Sequence, residues 1–354
     1  MQAPAPRRLA ILAEGKFNEH DGKTARGVIR YGRDKVVAVI DSTRAPGNVR
    51  EAMGEGYDIP IVATLDEALA GRPDALLIGI APTGGRLPTE WQQAILRAIS
   101  ERLDILSGLH TMLGDDPQFV AAATAAGVRI VDYRRPPDET LTAVGRRHLP
   151  GKKVVLTVAT DCAIGKMSVA LELRRAAVQA GLAGVFVPTG QTGMMIEGWG
   201  VAVDRVISDF LNGACERLVD QAEAMGDWIF VEGQGSLDHP AYSSVTLGLI
   251  HGCTPHAMVM VHKPGLATHD FDHLPDASFP LASLPEFIRL HEQVAALVAP
   301  SVVAAVALNT SLLPDESAAR REIARVAEET GLPTDDPFRF GGERLFDALR
   351  ERLA

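Results

Sequence analysis

Two short stretches of the chain combine residue types that can bind an anion and move a proton. In the first, residues 153–168 read KVVLTVATDCAIGKMS: an apolar run ends in a polar loop, and Gly165-Lys166 opens a helical pattern over 168–180. A buried strand, a loop of backbone N–H groups and a helix N-terminus together favour an anion, because unpaired amides and the helix dipole both present positive charge. Lys166 supplies a countercharge. The stretch therefore predicts a phosphate-binding loop.

This loop departs from the nucleotide-binding pattern GxxxxGK[ST]. Thr160 replaces the first glycine, and Met167 stands where a Ser or Thr hydroxyl normally holds Mg²⁺. A thioether is a poor ligand for so hard a cation, and Ser168, one place later, points elsewhere on a helix. We therefore expect phosphate binding without Mg²⁺ and predict no metal site. An ordinary strand-to-helix turn that contains Gly-Lys is the alternative.

In the second stretch an apolar run over 228–231 leads directly into Glu232-Gly233-Gln234-Gly235-Ser236. An acid at the end of a strand that follows a phosphate loop occupies the position of a Walker B carboxylate. Such a group binds metal, orients water or takes a proton, so Glu232 is the first candidate base. The alternative is a carboxylate that only caps nearby amides.

Histidines are enriched after this stretch, with six of the ten lying between positions 239 and 273. His239 is the second candidate base, although closing a turn before Pro240 would explain it equally well. Only His269 and His273 have a metal-ligand spacing, and flanking prolines favour a loop there over a helix. Lys263 follows the next apolar run and is expected at the same sheet edge as Glu232, where it could bind a substrate carboxylate.

The composition limits the possible partners. A formal net charge of −10 argues against nucleic acid, which a basic patch would bind. Three widely spaced cysteines make a disulfide framework improbable and favour a reducing compartment. The apolar run near the N-terminus is too short for a signal peptide, and no stretch approaches the ~20 apolar residues of a membrane span. We expect a cytoplasmic homo-oligomer that acts on small molecules.

Alternating apolar runs and helical patterns predict an α/β protein with parallel sheets. We assign an N-terminal domain to residues 1–135, a proline- and arginine-rich linker to 136–150 and a second domain to 151–354. Glu14-Gly15-Lys16 follows the first strand instead of GxGxxG, so a nicotinamide dinucleotide site is unsupported. Arg86, beside two glycines, is a candidate for holding a carboxylate. The predicted strands are 9–13, 36–40, 75–80, 104–107, 129–131, 154–158, 184–188, 228–231, 258–261 and 302–308. The predicted helices include 89–103, 117–126, 168–180, 203–225, 316–329 and 342–353.

Longer motifs carry a resemblance. ATDCAIGKM and EGQGS resemble the phosphate loop and strand-end acid of dethiobiotin synthetase. TDCAIGK, PTGQTGMMI, VEGQGSLDHPAYSSVTLGLIHG and VHKPG, in this order, are similar to a bacterial family long described only as of unknown function, and the likeness covers nearly the whole chain. That family joins an N-terminal Rossmann-like domain to a C-terminal P-loop NTPase-like domain. Its characterised members are D-glutamate N-acetyltransferases of D-amino acid catabolism.

The resemblance implies acetyl-CoA as co-substrate, since a P-loop can cradle its diphosphate and a thioester reacts without Mg²⁺. Glu232, His239 and Lys263 are then the catalytic candidates. Arg86 and Lys263 would bind the acceptor carboxylates, and the backbone amides from Gly233 to Ser236 or the hydroxyl of Tyr242 would donate to the oxyanion. Cys162, at a helix N-terminus, is either a nucleophile or a small residue that fills the loop. The cofactor-binding residues would be Thr160, Asp161, Cys162, Ala163, Ile164, Gly165, Lys166, Met167, Ser168, Gln191, Thr192 and Gly193.

Two other functions stay open at this point. The first is an ATP- and Mg²⁺-dependent ligase or kinase of the dethiobiotin synthetase type, which Thr160, Asp161, Lys166 and Glu232 favour and Met167 opposes. The second is a nucleotide-binding regulatory protein without turnover, about which the two-domain layout says nothing.

Overall fold

The computed structural model describes residues 6–17, 22–80, 87, 89, 91–138, 140–269 and 278–354. The chain divides into two compact units, one of Met1–Pro136 with Gln191–Ala202 and one of Pro137–Gly190 with Val203–Ala354. The assigned domains differ from this division in two places. Residues 137–150 of the predicted linker belong to the second unit. Residues 191–202, which were assigned to the second domain, belong to the first unit.

The first unit is built on a seven-stranded sheet in which every neighbouring pair is parallel except β3 and β4. Its strand order is β3-β4-β2-β1-β5-β6-β7. The strands are β1 (Arg8–Leu12), β2 (Lys35–Ile40), β3 (Gly47–Asn48), β4 (Pro60–Val62), β5 (Ala75–Ile78), β6 (Asp104–Ser107) and β7 (Ile130–Asp132). Five of them lie within two residues of their predicted bounds; β3 and β4 are too short to show a periodicity.

Helices α1 (Lys23–Tyr31), α2 (Arg50–Met53), α3 (Leu65–Ala68), α4 (Trp91–Ser100) and α5 (Pro117–Ala126) connect these strands. The bounds of α5 follow from its end residues. Asp116 caps the first turn by accepting from the Gln118 N–H, Pro117 fits the first helical position, and Gly127 ends the helix with φ +71°.

The second unit contains a six-stranded, wholly parallel sheet of order β13-β12-β11-β8-β10-β9. Its strands are β8 (Lys153–Ala159), β9 (Gly184–Val187), β10 (Trp228–Val231), β11 (Ala257–His262), β12 (Val302–Leu308) and β13 (Thr334–Asp335). β8 is buried from its second residue to its last. Such a continuous apolar run is typical of a parallel strand covered by helices on both faces.

The helices of this unit are α6 (Lys166–Gln179), α8 (Ser208–Glu223), α9 (Ser243–Cys253), α10 (Leu284–Ala296), α11 (Glu316–Thr330), α12 (Pro337–Phe340) and α13 (Glu343–Arg352). Helix α7 (Gln191–Glu197) belongs to the first unit. The helix predicted over 203–225 begins only at Ser208, after a 3₁₀ turn over Val203–Arg205. Within the part of the chain that the structure describes, no helix is both long and apolar enough to cross a bilayer.

The order of the second sheet determines which loops meet. β8 lies between β10 and β11, with Leu156 opposite Val231 and Ala159 opposite Val261. The segments that follow these three strands therefore leave the same edge of the sheet, the edge where ligands bind in open parallel sheets. Thr160, Glu232 and Lys263 are the first residues of those segments.

Candidate active site

The loop between β8 and α6 has the backbone geometry of an anion site. Gly165 has φ +121°, and a Cβ there would lie 2.5 Å from the Phe338 Cζ atom, so both conformation and space require glycine. Ala163 also has a positive φ, +53°. Gly165 is the N-cap of α6 and provides no side-chain cap. The backbone N–H groups of the first helical turn are therefore suited to bind an anion.

Lys166 is the first residue of α6, so the helix begins two residues before the predicted start at residue 168. Its side chain is buried, and its Nζ donates to the Asp161 carbonyl oxygen at 2.8 Å. The Lys166 ammonium therefore lies against the loop between β8 and α6, where it is expected to neutralise a bound anion. Met167 and Ser168 follow in the same turn and are half-buried.

The first two residues of the loop fix its position. The Thr160 N–H donates to the Val261 carbonyl at 3.1 Å, and Thr160 Oγ1 lies 3.0 Å from His262 Nδ1. Asp161 is fully buried, and its Oδ1 accepts from the Cys162 N–H at 2.7 Å. The loop is therefore tied to β11 and stabilised by its own carboxylate. Cys162 remains half-buried and Ala163 exposed.

The far end of the loop is held by a side chain from the segment after β12. Asn309 Nδ2 donates to the carbonyl of the buried Ile164 at 2.9 Å. This hydrogen bond ties the segment after β12 to the loop between β8 and α6. Nothing in the sequence of the loop itself indicates it, since the two residues are far apart along the chain.

Glu232 is the best supported acid-base group. Its carboxylate is buried, and Oε2 accepts from the backbone N–H groups of Thr189 at 2.9 Å and Gly190 at 3.1 Å. Burial raises the pKa of Glu232 to about 7, against the opposing effect of these two hydrogen bonds and of the Lys166 charge. The carboxylate does cap nearby amides, and it also has the pKa that suits a base at neutral pH.

Gly233 is required by packing. Its N–H donates to Thr157 Oγ1 at 2.9 Å, and a Cβ at this position would lie 1.6 Å from the Thr157 carbonyl oxygen. This N–H therefore already has an acceptor within the protein, which argues against its donating to an oxyanion. The same glycine lets the chain pass close to Lys166, whose Cδ would lie 3.1 Å from the added Cβ.

His239 is fully buried, and its Nδ1 accepts from the Ala241 N–H at 3.1 Å. A neutral imidazole in this arrangement carries its proton on Nε2, so the ring offers a donor. This geometry favours His239 as a hydrogen-bond donor over its predicted role as a base. The ring of Tyr242, an exposed residue at the N-terminus of α9, stacks on that of His239 with 4.7 Å between centroids.

The sequence indicates His269 only through its metal-ligand spacing to His273. His273 lies outside the described residues. The structure instead places His269 in the buried site. Its Nδ1 lies 3.0 Å from Asp161 Oδ1 and its Nε2 3.2 Å from Asp238 Oδ1, although the second contact is poorly aligned for a hydrogen bond. Its ring lies edge-on to that of His239, with 4.9 Å between centroids. The excess of histidines over 239–273 was the only signal in the sequence.

The remaining candidates are distributed as follows. Lys263 is half-buried directly after β11, at the expected sheet edge. Gln191, Thr192 and Gly193 lie in the first turn of helix α7, where their sequence would equally suit a loop. Thr192 Oγ1 lies 2.9 Å from Thr24 Oγ1 in the first unit. Arg86 lies outside the described residues, so its role stays a prediction, as does cofactor binding by Gln191, Thr192 and Gly193.

One group of side chains in the described part of the chain has the spacing of metal ligands. Asp161, Cys162 and His239 each offer an atom within 4.8 Å of the others. The tautomer of His239 argues against a metal here, because Nδ1 already accepts a hydrogen bond and Nε2 carries the proton. The three side chains nevertheless bring a thiol, an imidazole and a carboxylate together.

Comparison with known proteins agrees with this two-unit architecture. Residues 42–136 match the Rossmann-like domain DUF1611_N and residues 141–346 match the P-loop domain DUF1611_C, both described as domains of unknown function. A crystal structure of a DUF1611 family protein from Anabaena variabilis superposes with a TM-score of 0.89 at 39% identity, covering 98% of this chain and 99% of that one.

Two curated relatives carry an activity in their names. A D-glutamate N-acetyltransferase from Tritonibacter scottomollicae is 37% identical over 81% of this chain and 84% of its own length. Another from Pseudoalteromonas is 38% identical over 76% of this chain and 79% of its own length. The α/β fold, the phosphate-type loop and these matches lead to one conclusion: the chain belongs to the two-domain DUF1611 family, which joins a Rossmann-like domain to a P-loop domain.

Proposed function

We propose that this protein transfers the acetyl group of acetyl-CoA to the amino group of D-glutamate. The buried Glu232, with a pKa of about 7 at the edge of the sheet that carries the anion-binding loop, is the observation on which the proposal rests. The two relatives named D-glutamate N-acetyltransferase support the choice of acceptor and reaction.

The diphosphate of CoA is assigned to the backbone N–H groups ahead of Lys166 and to the Lys166 ammonium. Both features neutralise an anion without a divalent ion. Met167 supports a reaction that needs no Mg²⁺, since its thioether replaces the hydroxyl that nucleotide hydrolases use to hold the metal. A thioester requires no phosphoryl transfer, so the loss of that hydroxyl is tolerated.

The chemical step requires removal of a proton from the acceptor ammonium. Glu232 is assigned this role, because a base works best when its pKa lies near the working pH. The Nε2–H of His239 is a candidate donor to the oxyanion that forms at the acetyl carbonyl, in place of the Gly233 amide. Lys263 is assigned to one of the two acceptor carboxylates.

The experiment offers the purified protein acetyl-CoA together with D-glutamate and follows free thiol, with identification of N-acetyl-D-glutamate by mass spectrometry. Thiol release that depends on D-glutamate and survives a chelator is expected. Parallel reactions with L-glutamate and with D-aspartate define the acceptor.

A second arm offers ATP with Mg²⁺ and follows phosphate release. Phosphate release without acetyl transfer would overturn the proposal in favour of a ligase or kinase. Nucleotide binding without any turnover would overturn it in favour of a regulatory protein.

A further inference from the structure

The thiol, imidazole and carboxylate of Cys162, His239 and Asp161 meet within 4.8 Å at the start of the anion-binding loop. Asp161 and His239 are fully buried, whereas Cys162 is half-buried. The sulfur is therefore the member of the trio that a ligand can approach. The other two cysteines, Cys215 and Cys253, are buried and hydrogen-bonded to each other.

Several positive features stabilise an anion at this position. Lys166 Nζ lies 2.8 Å from the carbonyl oxygen of Asp161, the residue directly before Cys162. Helix α6 begins four residues after the cysteine and directs its N-terminus at the loop. His239 presents an Nε2–H donor, since its Nδ1 accepts from Ala241. A thiolate is the reactive form of cysteine, and each of these features favours it.

The Asp161 carboxylate has the opposite effect on a thiolate. Its charge is partly compensated, because Oδ1 accepts from the Cys162 N–H at 2.7 Å and lies 3.0 Å from His269 Nδ1. Asp161 thereby also fixes the backbone of Cys162. A cysteine beside a lysine ammonium, a helix N-terminus and an imidazole N–H donor is activated through its thiolate form, without a neighbouring base.

We propose that Cys162 is a nucleophile that accepts the acetyl group from acetyl-CoA before the group reaches the acceptor amine. In the first step a bond forms between Cys162 Sγ and the acetyl carbon, the bond from that carbon to the CoA sulfur breaks, and the CoA thiolate takes up the proton that the cysteine lost. In the second step the acceptor amine, deprotonated by Glu232, displaces Cys162 and leaves an amide. The exchange of one thioester for another needs no metal and no oxidant.

This inference rests on the proposed function for its second step only. The first step is tested by mixing the full-length protein with acetyl-CoA alone, quenching in acid and digesting it for mass spectrometry. We expect the mass of one acetyl group on the peptide that contains Cys162, together with a burst of one equivalent of CoA thiol. Addition of D-glutamate should remove the label and yield N-acetyl-D-glutamate.

Variants make the test specific. Cys162→Ser should lose the label and the thiol burst and reduce turnover by orders of magnitude. Cys215→Ala, a substitution of a cysteine away from the loop, should keep all three. Circular dichroism and CoA binding of Cys162→Ser show whether the variant is folded and still binds its co-substrate.

Three results would overturn the inference. The first is acetyl transfer to D-glutamate by Cys162→Ser at the wild-type rate, and the second is unlabelled wild-type protein with intersecting double-reciprocal plots. The third is a tetrahedral Co²⁺ spectrum with a thiolate charge-transfer band, lost in Cys162→Ser, that accompanies unlabelled protein, because the trio would then be a metal centre. Labelled Cys162 without transfer to D-glutamate would instead refute the proposed function and leave this inference standing.

Discussion

The Glu232 carboxylate accepts a hydrogen bond from the Thr189 N–H at 2.9 Å, so an acid with a raised pKa is bound by a donor that should lower it. The two effects are opposed, and burial is the larger. Water is replaced by a few fixed amides, which compensate only part of the lost solvation of the charge. The result is a carboxylate that is about half ionised near neutral pH.

Glu232→Gln should lower kcat for acetyl transfer by about 100-fold or more, because general base catalysis contributes about 10²–10⁴. The amide is nearly isosteric, so CoA affinity should change little. Steady-state kinetics and calorimetric titration with CoA give the two numbers. Glu223→Gln is the matched control, since Glu223 is equally buried but hydrogen-bonds to His148 on the linker side of the unit. Equal losses in both variants would show that Glu232 is not the base.

The pH dependence of kcat/KM should follow the ionisation of Glu232. Only the carboxylate can take a proton, so kcat/KM should rise as the pH passes about 7. The Glu223→Gln variant should keep this inflection. A profile that is flat between about pH 6 and about pH 8 would contradict the assignment.

The stability of the protein should depend on the same group in the opposite direction. The folded-state pKa of about 7 lies above the ordinary value of 4.5, so the contribution of Glu232 is fully present below about pH 4.5 and is lost as pH rises through about 7. The loss amounts to about 3 kcal/mol.

Urea denaturation of wild type and Glu232→Gln at about pH 5 and about pH 8 measures this effect. Because nearly 1 kcal/mol is already lost at about pH 5, the difference between the two proteins should change by about 2.5 kcal/mol, with the variant gaining relative to wild type at the higher pH. The half-buried His256 and the buried His291 have a pKa lowered to about 4, chiefly by burial, and titrate in both proteins, so they cancel in the comparison.

Lys166→Met should weaken CoA binding by about 10- to 100-fold, the loss expected for one charge-assisted hydrogen bond. The side chain is buried, and methionine keeps most of its volume, so the fold should persist. Lys152→Met is the control, because this lysine bonds to Gly226 and Asp227 away from the loop. Calorimetric titration decides: unchanged affinity in Lys166→Met would remove the loop from CoA binding.

Gly165→Ala should destabilise the second unit by more than Gly331→Ala. Both glycines have a positive φ, which costs an alanine about 1 kcal/mol. At Gly165 the new methyl would also meet Phe338 at 2.5 Å, whereas nothing lies within 4 Å at Gly331. Chemical denaturation gives the two free energies of unfolding, and CoA binding should be lost only in Gly165→Ala. Equal effects would mean that Phe338 moves aside without cost.

Local patterns predicted most of the regular structure. Parallel strands in a covered sheet are apolar runs, so the strands that carry the site, from β8 to β12, were found close to their true bounds. The bounds of α5 also follow from local sequence, because Asp116 and Pro117 act within its first turn and Gly127 ends its last turn. The helical start at Gln191 was missed, because Thr-Gly-Gln-Thr-Gly contains two glycines that also suit a loop.

The sequence by itself determined the family and the α/β fold, and it indicated the loop before Lys166 and the acid Glu232 as a candidate site, because each is written in a contiguous stretch. Only the tertiary structure decided that the Gly233 amide is already bonded to Thr157, that His239 is a donor, and that His269 reaches Asp161. The first and third of these facts depend on groups far apart along the chain that the order of the sheet brings to one edge, and the second depends on how the turn from His239 to Ala241 folds. The raised pKa of Glu232 has the same origin, since burial is a property of the packed unit and no local pattern contains it.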